Sequence, residues 1–290
     1  MKNIATLTAM LLASTAAFAA GDYDPDTLRV ALLPDENAST VIQDNKPLAA
    51  YLEEKLGKDI ELIVTTDYSS MIEAMRFGRV DVAYFGPASY TIAKAKMADG
   101  DLDIEPFAAR VTDGSTTYQS VLIANVESGI DSIDDIEGSG IDVAFGDQAS
   151  TSSHFAPKYM MLEGVTEGDD YTQNFTGAHD AVARNVELGN AAVGGLSRPI
   201  YESLLAKGSV DASKLIVIGY SADIPQYPWV MRTDMTEALE DSIKDAFLTL
   251  EPGTDAGDAV LTPFKADGFA AITDADYDII RDIRKNLQAD

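Results

Sequence analysis

Short apolar runs alternate with helix-like stretches through the first part of the chain. The runs that predict buried strands are Leu28 to Leu33, Ile60 to Val64 and Val80 to Phe85. The stretches that predict helices are Ala38 to Leu56, Ser69 to Phe77 and Pro87 to Met97. Strands that alternate with helices predict an α/β domain with a mostly parallel sheet, in which ligands bind beyond the carboxyl ends of the strands.

The middle of the chain predicts a second α/β domain. Ile104 to Val111 and Tyr118 to Asn125 are strand-like, and we expect the second of them to cross into the new domain. Ser221 to Pro228 contains two prolines and marks a crossing back, after which helices over Thr236 to Leu250 and Ala275 to Leu287 complete the first domain. Two crossings predict a hinge. The predicted first lobe comprises residues 20–120 and 226–290, and the second comprises residues 121–225.

Four hydroxyl side chains crowd the start of one predicted helix. The strand Asp142 to Phe145 leads into a small-residue turn that contains Ser150, Thr151, Ser152 and Ser153. The first turn of a helix has N–H groups without intrahelical partners and the positive end of the helix dipole, so an anion fits there. One hydroxyl is enough for an N-cap, whereas this turn supplies four. Because no Lys or Arg lies between Gly146 and Pro157, the pattern predicts an anion held by directed hydrogen bonds rather than by paired charge.

The composition and the beginning of the chain indicate an exported protein. Residues 1–19 combine Lys2, an apolar run and the triplet Ala17-Phe18-Ala19, which predicts a cleaved signal peptide and a soluble periplasmic product. The chain contains no cysteine, which excludes disulfides, thiolate metal sites and a lipid-anchor cysteine. The net charge of −27 argues against binding to nucleic acid or to anionic membranes.

Several segments in one order resemble the phosphonate- and phosphite-binding proteins of ABC transporters. The matching segments are Tyr68 to Ala83, Asp113-Gly114-Ser115 with Tyr118 to Ile123, Ser150-Thr151-Ser152, Gly177-Ala178-His179 and Gly268 to Asp278. The resemblance implies a type II, Venus-flytrap periplasmic binding protein that closes on a phosphorus oxyanion. It also implies delivery of the ligand to an inner-membrane permease and ATPase, with no cofactor. We expect a monomer.

The same resemblance implies the ligand-binding residues. Ser150, Thr151 and Ser152 would hold the phosphonate oxygens, Tyr68 and Tyr118 would donate from the first lobe, and His179 would complete the shell. Since a phosphonate carries up to two charges near neutral pH and His has an ordinary pKa of about 6.5, a positive charge on His179 is a further hypothesis.

One departure from the family bears on the preferred ligand. Relatives that prefer aminoethylphosphonate have acidic residues where this chain has Gln226-Tyr227 and Ser197-Arg198-Pro199. An ammonium group buried without a counter-charge is costly. The departure favours phosphite or methylphosphonate, with Tyr227 as a lid over the ligand, while the nearby Glu202 leaves aminoethylphosphonate as an alternative.

Two other classes of protein compete with a transport protein. A hydrolase would need an activated nucleophile, but the chain lacks a G-x-S-x-G elbow and its two histidines form no H-E-x-x-H motif. An extracytoplasmic sensor of phosphorus oxyanions would have the same fold. The absence of a predicted membrane span or DNA-binding segment favours transport over sensing.

Overall fold

Residues 21–98, 100 and 102–287 are described by the computed structural model of the protein, so the predicted signal peptide lies outside the described residues. The β-strands are β1 Thr27–Leu32, β2 Asp59–Val64, β3 Val82–Tyr84, β4 Ile104–Val111, β5 Thr117–Tyr118, β6 Ser120–Asn125, β7 Ile141–Phe145, β8 Tyr171–Phe175, β9 Val193–Ser197, β10 Leu215–Tyr220, β11 Ile224–Pro225, β12 Pro228–Arg232 and β13 Gly268–Ala271. The α-helices are α1 Ala38–Asp44, α2 Lys46–Leu56, α3 Tyr68–Arg76, α4 Pro87–Met97, α5 Ala156–Met161, α6 His179–Glu187, α7 Arg198–Ala206, α8 Glu237–Leu248, α9 Asp255–Leu261 and α10 Asp278–Asn286.

These strands form two separate mixed sheets. One sheet has the order β13-β4-β12-β3-β1-β2 and the other has the order β10-β6-β9-β7-β8. The prediction of mostly parallel sheets is wrong, because β12 is antiparallel to both β3 and β4, and β6 is antiparallel to both β9 and β10. The reason lies in the crossings: β4 runs towards the first crossing and β12 runs away from the second, so the two neighbours point in opposite directions.

A two-stranded ladder joins the two sheets. Tyr118 of β5 pairs with Ile224 of β11, and Thr117 pairs with Pro225. The chain enters the second sheet directly after β5 and returns to the first sheet directly after β11. This ladder occupies the place where the sequence predicts a hinge of two crossings, and the exact lobe boundaries at residues 120/121 and 225/226 stay a prediction.

Two helix predictions need correction. The predicted helix from Ala38 to Leu56 is divided at Asn45 into α1 and α2, because Pro47 lacks an N–H and its ring would clash with the carbonyl group one turn earlier. The predicted helix from Ala275 to Leu287 begins with a 3₁₀ turn before α10. The sequence patterns did not predict α9 or β13.

The two lobes are in contact across a closed cleft. Ala149, Phe155 and Ala156 come from the second lobe, yet they pack in the same apolar cluster as the core of the first lobe. The backbone N–H of His179 donates to the carbonyl oxygen of Asp35 at 3.0 Å, which joins α6 to the loop after β1. The fold thus places the loops at the ends of β1, β3 and β7 against one another.

Two glycines in β9 allow helices to pack closely on both faces of the second sheet. A Cβ atom at Gly194 would lie 2.7 Å from Val182 and Val186 of α6. A Cβ atom at Gly195 would lie 2.5 Å from the ring of Pro157 in α5. Since α5 continues directly from the hydroxyl-rich turn, Gly195 fixes the depth of that turn in the second lobe.

We expect Gly195→Ala to lower the free energy of unfolding by about 1–3 kcal/mol, because the added methyl group overpacks the β9–α5 contact. Urea unfolding followed by circular dichroism measures the change. Gly268→Ala in β13 is the matched control, since no atom lies within 4 Å of its added Cβ. Equal unfolding midpoints for the two variants would contradict this account.

Candidate functional site

The hydroxyl-rich turn forms a π-helical turn over Thr151–Phe155, followed at once by α5. Ser150 caps it, because the Ser150 hydroxyl accepts the N–H of Ser153 at 3.2 Å. The Ser153 hydroxyl is structural, since it accepts the N–H of Gly146 at 2.7 Å and donates to the carbonyl oxygen of Gly195. The Ser152 hydroxyl is buried and has no hydrogen-bond partner among the described residues. The four hydroxyls therefore have different roles, and Ser152 has a free donor.

Two side chains near this turn contact helix N-termini of the first lobe. The Thr151 hydroxyl oxygen accepts the N–H of Ala88 in α4 at 2.7 Å. Asp147 accepts the N–H of Tyr68, the first residue of α3, at 3.2 Å. Both acceptors belong to the second lobe and both donors to the first. These hydrogen bonds form across the cleft, and the Thr151 hydroxyl keeps its own proton for donation.

His179 is positioned at the start of α6 with one ring nitrogen facing inwards. Its Nδ1 accepts the N–H of Ser197 at 3.0 Å, so Nδ1 is unprotonated and the proton resides on Nε2. Nε2 is buried without a partner among the described residues. Burial lowers the pKa of His179 to about 4. The hypothesis of a positive charge on His179 does not fit this geometry, whereas a neutral Nε2–H donor does.

The first lobe contributes two phenols and a guanidinium group. Tyr84 Oη, Tyr118 Oη and Arg110 Nη2 are buried and make no well-formed hydrogen bond in the described part of the chain, although Tyr84 lies beside Arg110 and Tyr118 lies beside Ser152 and Tyr227. Arg110 is held in place by its other nitrogens, which donate to Gln226 Oε1 at 2.5 Å and to the carbonyl oxygen of Phe264 at 2.9 Å. Burial raises the pKa of Tyr118 to about 12, so its phenol stays protonated and can donate.

Tyr227 lies between these groups. Its ring centroid is 5.4 Å from that of Tyr84 and 5.3 Å from that of Tyr118. The Arg110 guanidinium group lies over the Tyr227 ring at 4.9 Å. Tyr68 is also buried, and burial raises the pKa of its phenol well above the ordinary value, with the carboxylates of Asp35 and Asp147 adding to the shift. The structure thus brings all seven predicted site residues to the contact region between the lobes.

A cavity of about 770 Å³ opens beside Tyr84 and Arg110. Its charged lining residues are Asp35, Glu36, Asp44, Arg110, Lys207, Asp258 and Lys265. Lys265 Nζ donates to Glu36 Oε1 at 2.8 Å, and both side chains are largely shielded from solvent. Lys207 follows α7 of the second lobe, so the cavity lies between the lobes.

Sequence reasoning missed three residues at this cleft. Tyr84 is at the end of β3 and Asp35 follows β1, so their strand-end positions were the available signal. Arg110 lies inside a strand, and nothing in its local sequence marks it. The expectation of a site without paired charge holds for the hydroxyl turn alone, because Arg110 supplies a buried positive charge from the other lobe.

Other chemistries find little support in the described residues. Across residues 21–98, 100 and 102–287, no group of three or more His, Cys, Asp or Glu side chains could hold a metal ion. Within the same ranges, no helix has both the length and the apolar character needed to cross a membrane. Glu202 pairs with Arg198 at 2.7 Å and is more than half exposed, so its carboxylate is engaged outside the cleft.

Residues 30–277 match the model of the family described as "ABC transporter, phosphonate, periplasmic substrate-binding protein". The chain belongs to this family. It is therefore a periplasmic substrate-binding component of ABC transporters, a class of transport proteins, which confirms the family resemblance.

Individual relatives agree with this assignment. The chain is 28% identical over 279 residues to the "Phosphate-import protein PhnD" of Mycolicibacterium smegmatis, covering 89% of this chain and 85% of the relative. It is also 28% identical over 224 residues to the "Phosphonates-binding periplasmic protein" of Escherichia coli, covering 76% of this chain and 65% of the relative.

Solved structures confirm the two-lobed α/β fold. PhnD1 from Prochlorococcus marinus in complex with methylphosphonate has a TM-score of 0.84 at 22% identity, covering 92% of this chain and 100% of that chain. A binding protein component of an ABC phosphonate transporter from Pseudomonas aeruginosa has a TM-score of 0.82 at 24% identity, covering 91% and 87%.

We expect His179 to remain neutral with its proton on Nε2 in the ligand-free protein at every pH between about 5.5 and 8, because Ser197 occupies Nδ1 within the same lobe. The ¹⁵N chemical shifts of the ring nitrogens measure both the tautomer and the charge. His154 is the internal control, since it is the other histidine of the chain. An imidazolium signal from His179 at pH 6 would contradict the assignment.

Proposed function

We propose that this protein captures a small phosphorus oxyanion, phosphite or a small alkylphosphonate such as methylphosphonate, for import by its ABC transporter. One observation carries the proposal: buried donors that make no well-formed hydrogen bond with the described residues converge on the cleft from both lobes. They are Ser152 Oγ, His179 Nε2 and Ser197 Oγ from the second lobe, and Tyr84 Oη, Tyr118 Oη and Arg110 Nη2 from the first. A buried donor without a partner costs about 1–3 kcal/mol, so a ligand that satisfies several of them gains affinity.

The chemistry of this donor set matches a tetrahedral anion. A phosphonate head has three acceptor oxygens, and each oxygen can accept more than one hydrogen bond. The set contains four hydroxyls, one neutral imidazole N–H and one guanidinium N–H. With a single full positive charge among the donors, the site suits a head with one or two negative charges, and hydrogen bonds to charged groups are the stronger ones.

The size of the preferred ligand follows from Tyr227 and Gln226. Tyr227 contacts Tyr84 and Tyr118 from the hinge side, and the Gln226 amide oxygen is occupied by Arg110. Neither residue has a carboxylate that could pair with an ammonium group of the ligand. This supports a small phosphonate or phosphite without an amine. Tyr227 would then lie against the substituent on phosphorus. The ligand in the structure of the Prochlorococcus protein, methylphosphonate, agrees with this size.

Two other ligands deserve a direct test. The name of the Mycolicibacterium relative refers to phosphate, and a phosphate ion would meet the same donors. Aminoethylphosphonate stays an alternative because Asp35 and Glu36 line the adjoining cavity, where an amine could extend. A sensor of phosphorus oxyanions would bind the same ligands but would act on a receptor instead of a permease.

The remaining expectations complete the proposal. We infer that residues 1–19 direct export and are removed, that the mature protein works as a monomer without a cofactor, and that it has no catalytic activity. A permease and an ATPase of the inner membrane would be its partners, as membership of the family implies.

We expect calorimetric titration of the protein without residues 1–19 to give the tightest binding with methylphosphonate or phosphite, weaker binding with phosphate and aminoethylphosphonate, and none with sulfate. Each titration uses the same salt concentration, because the protein carries many negative charges. If aminoethylphosphonate or phosphate binds most tightly, that anion replaces the proposed ligand. If none of the five anions binds, the proposal of a phosphorus oxyanion is wrong.

We expect Ser152→Ala to weaken methylphosphonate binding by about 1–3 kcal/mol without lowering the free energy of unfolding, because the lost hydroxyl lies beside Tyr118 and makes no well-formed hydrogen bond within the described residues. Ser153→Ala is the matched control. It should destabilise the fold, since its hydroxyl bonds to Gly146 and Gly195. Calorimetry and urea unfolding separate the two effects. The role of Ser152 is refuted if both variants lose stability and neither loses affinity.

A further inference from the structure

A carboxylate borders the cleft that otherwise presents donors. Asp35 follows β1, and its backbone oxygen accepts the N–H of His179 at 3.0 Å. Its side chain lines the cavity together with Tyr84 and Arg110. The negative charge of Asp35 helps to raise the pKa of four phenols that surround the proposed ligand, those of Tyr68, Tyr84, Tyr118 and Tyr227. Asp35 therefore lies close to the place where a bound anion would be.

Part of the positive charge near Asp35 is engaged by other groups. Lys265 donates to Glu36, and two nitrogens of Arg110 donate to Gln226 and Phe264. The Asp35 carboxylate accepts the backbone N–H of its own residue. The titratable groups that face Asp35 are Glu36, Arg110 and Lys265 together with the four phenols named above, and His179 is neutral. Burial and the charge of Glu36 raise the pKa of Asp35 to about 7.

An ionised carboxylate and an oxyanion repel each other at short range. Both are acceptors only, and neither can donate to the other unless one of them carries a proton. A phosphonate or phosphite can bring this proton, because its second ionisation lies near neutral pH. A sulfonate cannot, because it is fully ionised and unprotonated in that range.

We propose that Asp35 shares a proton with the bound oxyanion and thereby selects ligands that can be protonated near neutral pH. The balance is simple: one dianion, one carboxylate and one hydrogen ion form a complex that contains a single O–H···O bond between Asp35 and the ligand. No covalent bond forms or breaks apart from the transfer of this proton. The inference rests on the proposed function and names a residue that determines its specificity.

This sharing has a consequence for selectivity. A sulfonate of the same shape must find Asp35 already protonated, and at pH 8 a group with a pKa of about 7 is protonated in roughly one molecule in ten. Methanesulfonate is therefore disfavoured by about tenfold at pH 8 through Asp35 alone, and this factor disappears towards pH 6. Asparagine at this position would donate an N–H and remove the requirement.

The experiment measures hydrogen-ion uptake when methylphosphonate binds. Calorimetric titrations at pH 8.5 in buffers of different ionisation enthalpy give the number of hydrogen ions bound by the complex. We expect about one for the unaltered protein and close to none for Asp35→Asn. We also expect Asp35→Asn to bind methanesulfonate at least about tenfold more tightly than the unaltered protein at pH 8. Asp44→Asn is the matched control and should keep the uptake, because it removes a carboxylate from the lining of the same cavity and leaves Asp35, Glu36 and Lys265 in place.

Each other outcome overturns the proposal. Tight binding of methylphosphonate to the unaltered protein without uptake removes the shared proton and leaves the proposed function intact. Uptake that persists in Asp35→Asn assigns the proton to another group. Failure of the unaltered protein to bind methylphosphonate, phosphite and phosphate removes both the function and this inference. The first result needs no variant, so it decides the question even if Asp35→Asn does not fold.

Discussion

The closed cleft buries hydrogen-bond donors that make no well-formed hydrogen bond with the residues that the structure describes. Ser152, His179, Tyr84 and Tyr118 each bury such a group, and they come from four separate segments of the chain. Such an arrangement costs free energy in the absence of a ligand. The contacts that surround it offset part of this cost, since Thr151 and Asp147 bond to backbone N–H groups of the opposite lobe. The architecture of two lobes makes this possible, because closing brings together donors that water solvates when the lobes are apart.

The sequence predicted the elements of this site better than its electrostatics. The hydroxyl turn was visible because Ser150 to Ser153 are adjacent and follow a buried strand, and His179 was visible through its family segment. The different roles of these hydroxyls could not be predicted from the sequence. Those roles depend on the partners of each hydroxyl. The Ser153 hydroxyl accepts the N–H of Gly146 and donates to the carbonyl oxygen of Gly195, and the Thr151 hydroxyl accepts the N–H of Ala88. Gly195 is distant in sequence from Ser153 and Ala88 belongs to the other lobe, so no local pattern encodes these two contacts.

Charge was the hardest property to predict for the same reason. Arg110 is one basic residue inside an apolar strand, and only the crossing between lobes places it against Tyr118 and Tyr227. The protonation of His179 depends on Ser197, eighteen residues away, because that N–H occupies Nδ1. The mixed character of the sheets has a similar origin, since strand direction is set by where the chain crosses. In each case, apolar periodicity correctly identified the element, while its partner depended on the tertiary fold.

The net charge of −27 makes the buried positive charge of Arg110 important for holding an anion in the cleft. A highly acidic surface repels anions at long range, and salt screens this repulsion within about 8–10 Å under ordinary conditions. Inside the cleft, directed donors and one guanidinium group act at contact distance, where screening by salt is weak. Capture therefore depends on short-range complementarity rather than on steering by the overall field.

The ladder between β5 and β11 carries Tyr118 itself and ends beside Gln226 and Tyr227. The predicted hinge and the walls of the proposed binding site thus share residues. In the proposed function, an anion that bonds to Tyr118 would act directly on this hinge, so the closure of the lobes would need no other residues to transmit the effect of binding. For the same reason, a permease that separates the lobes would move Tyr118 and Tyr227 away from the ligand and release it in a single step.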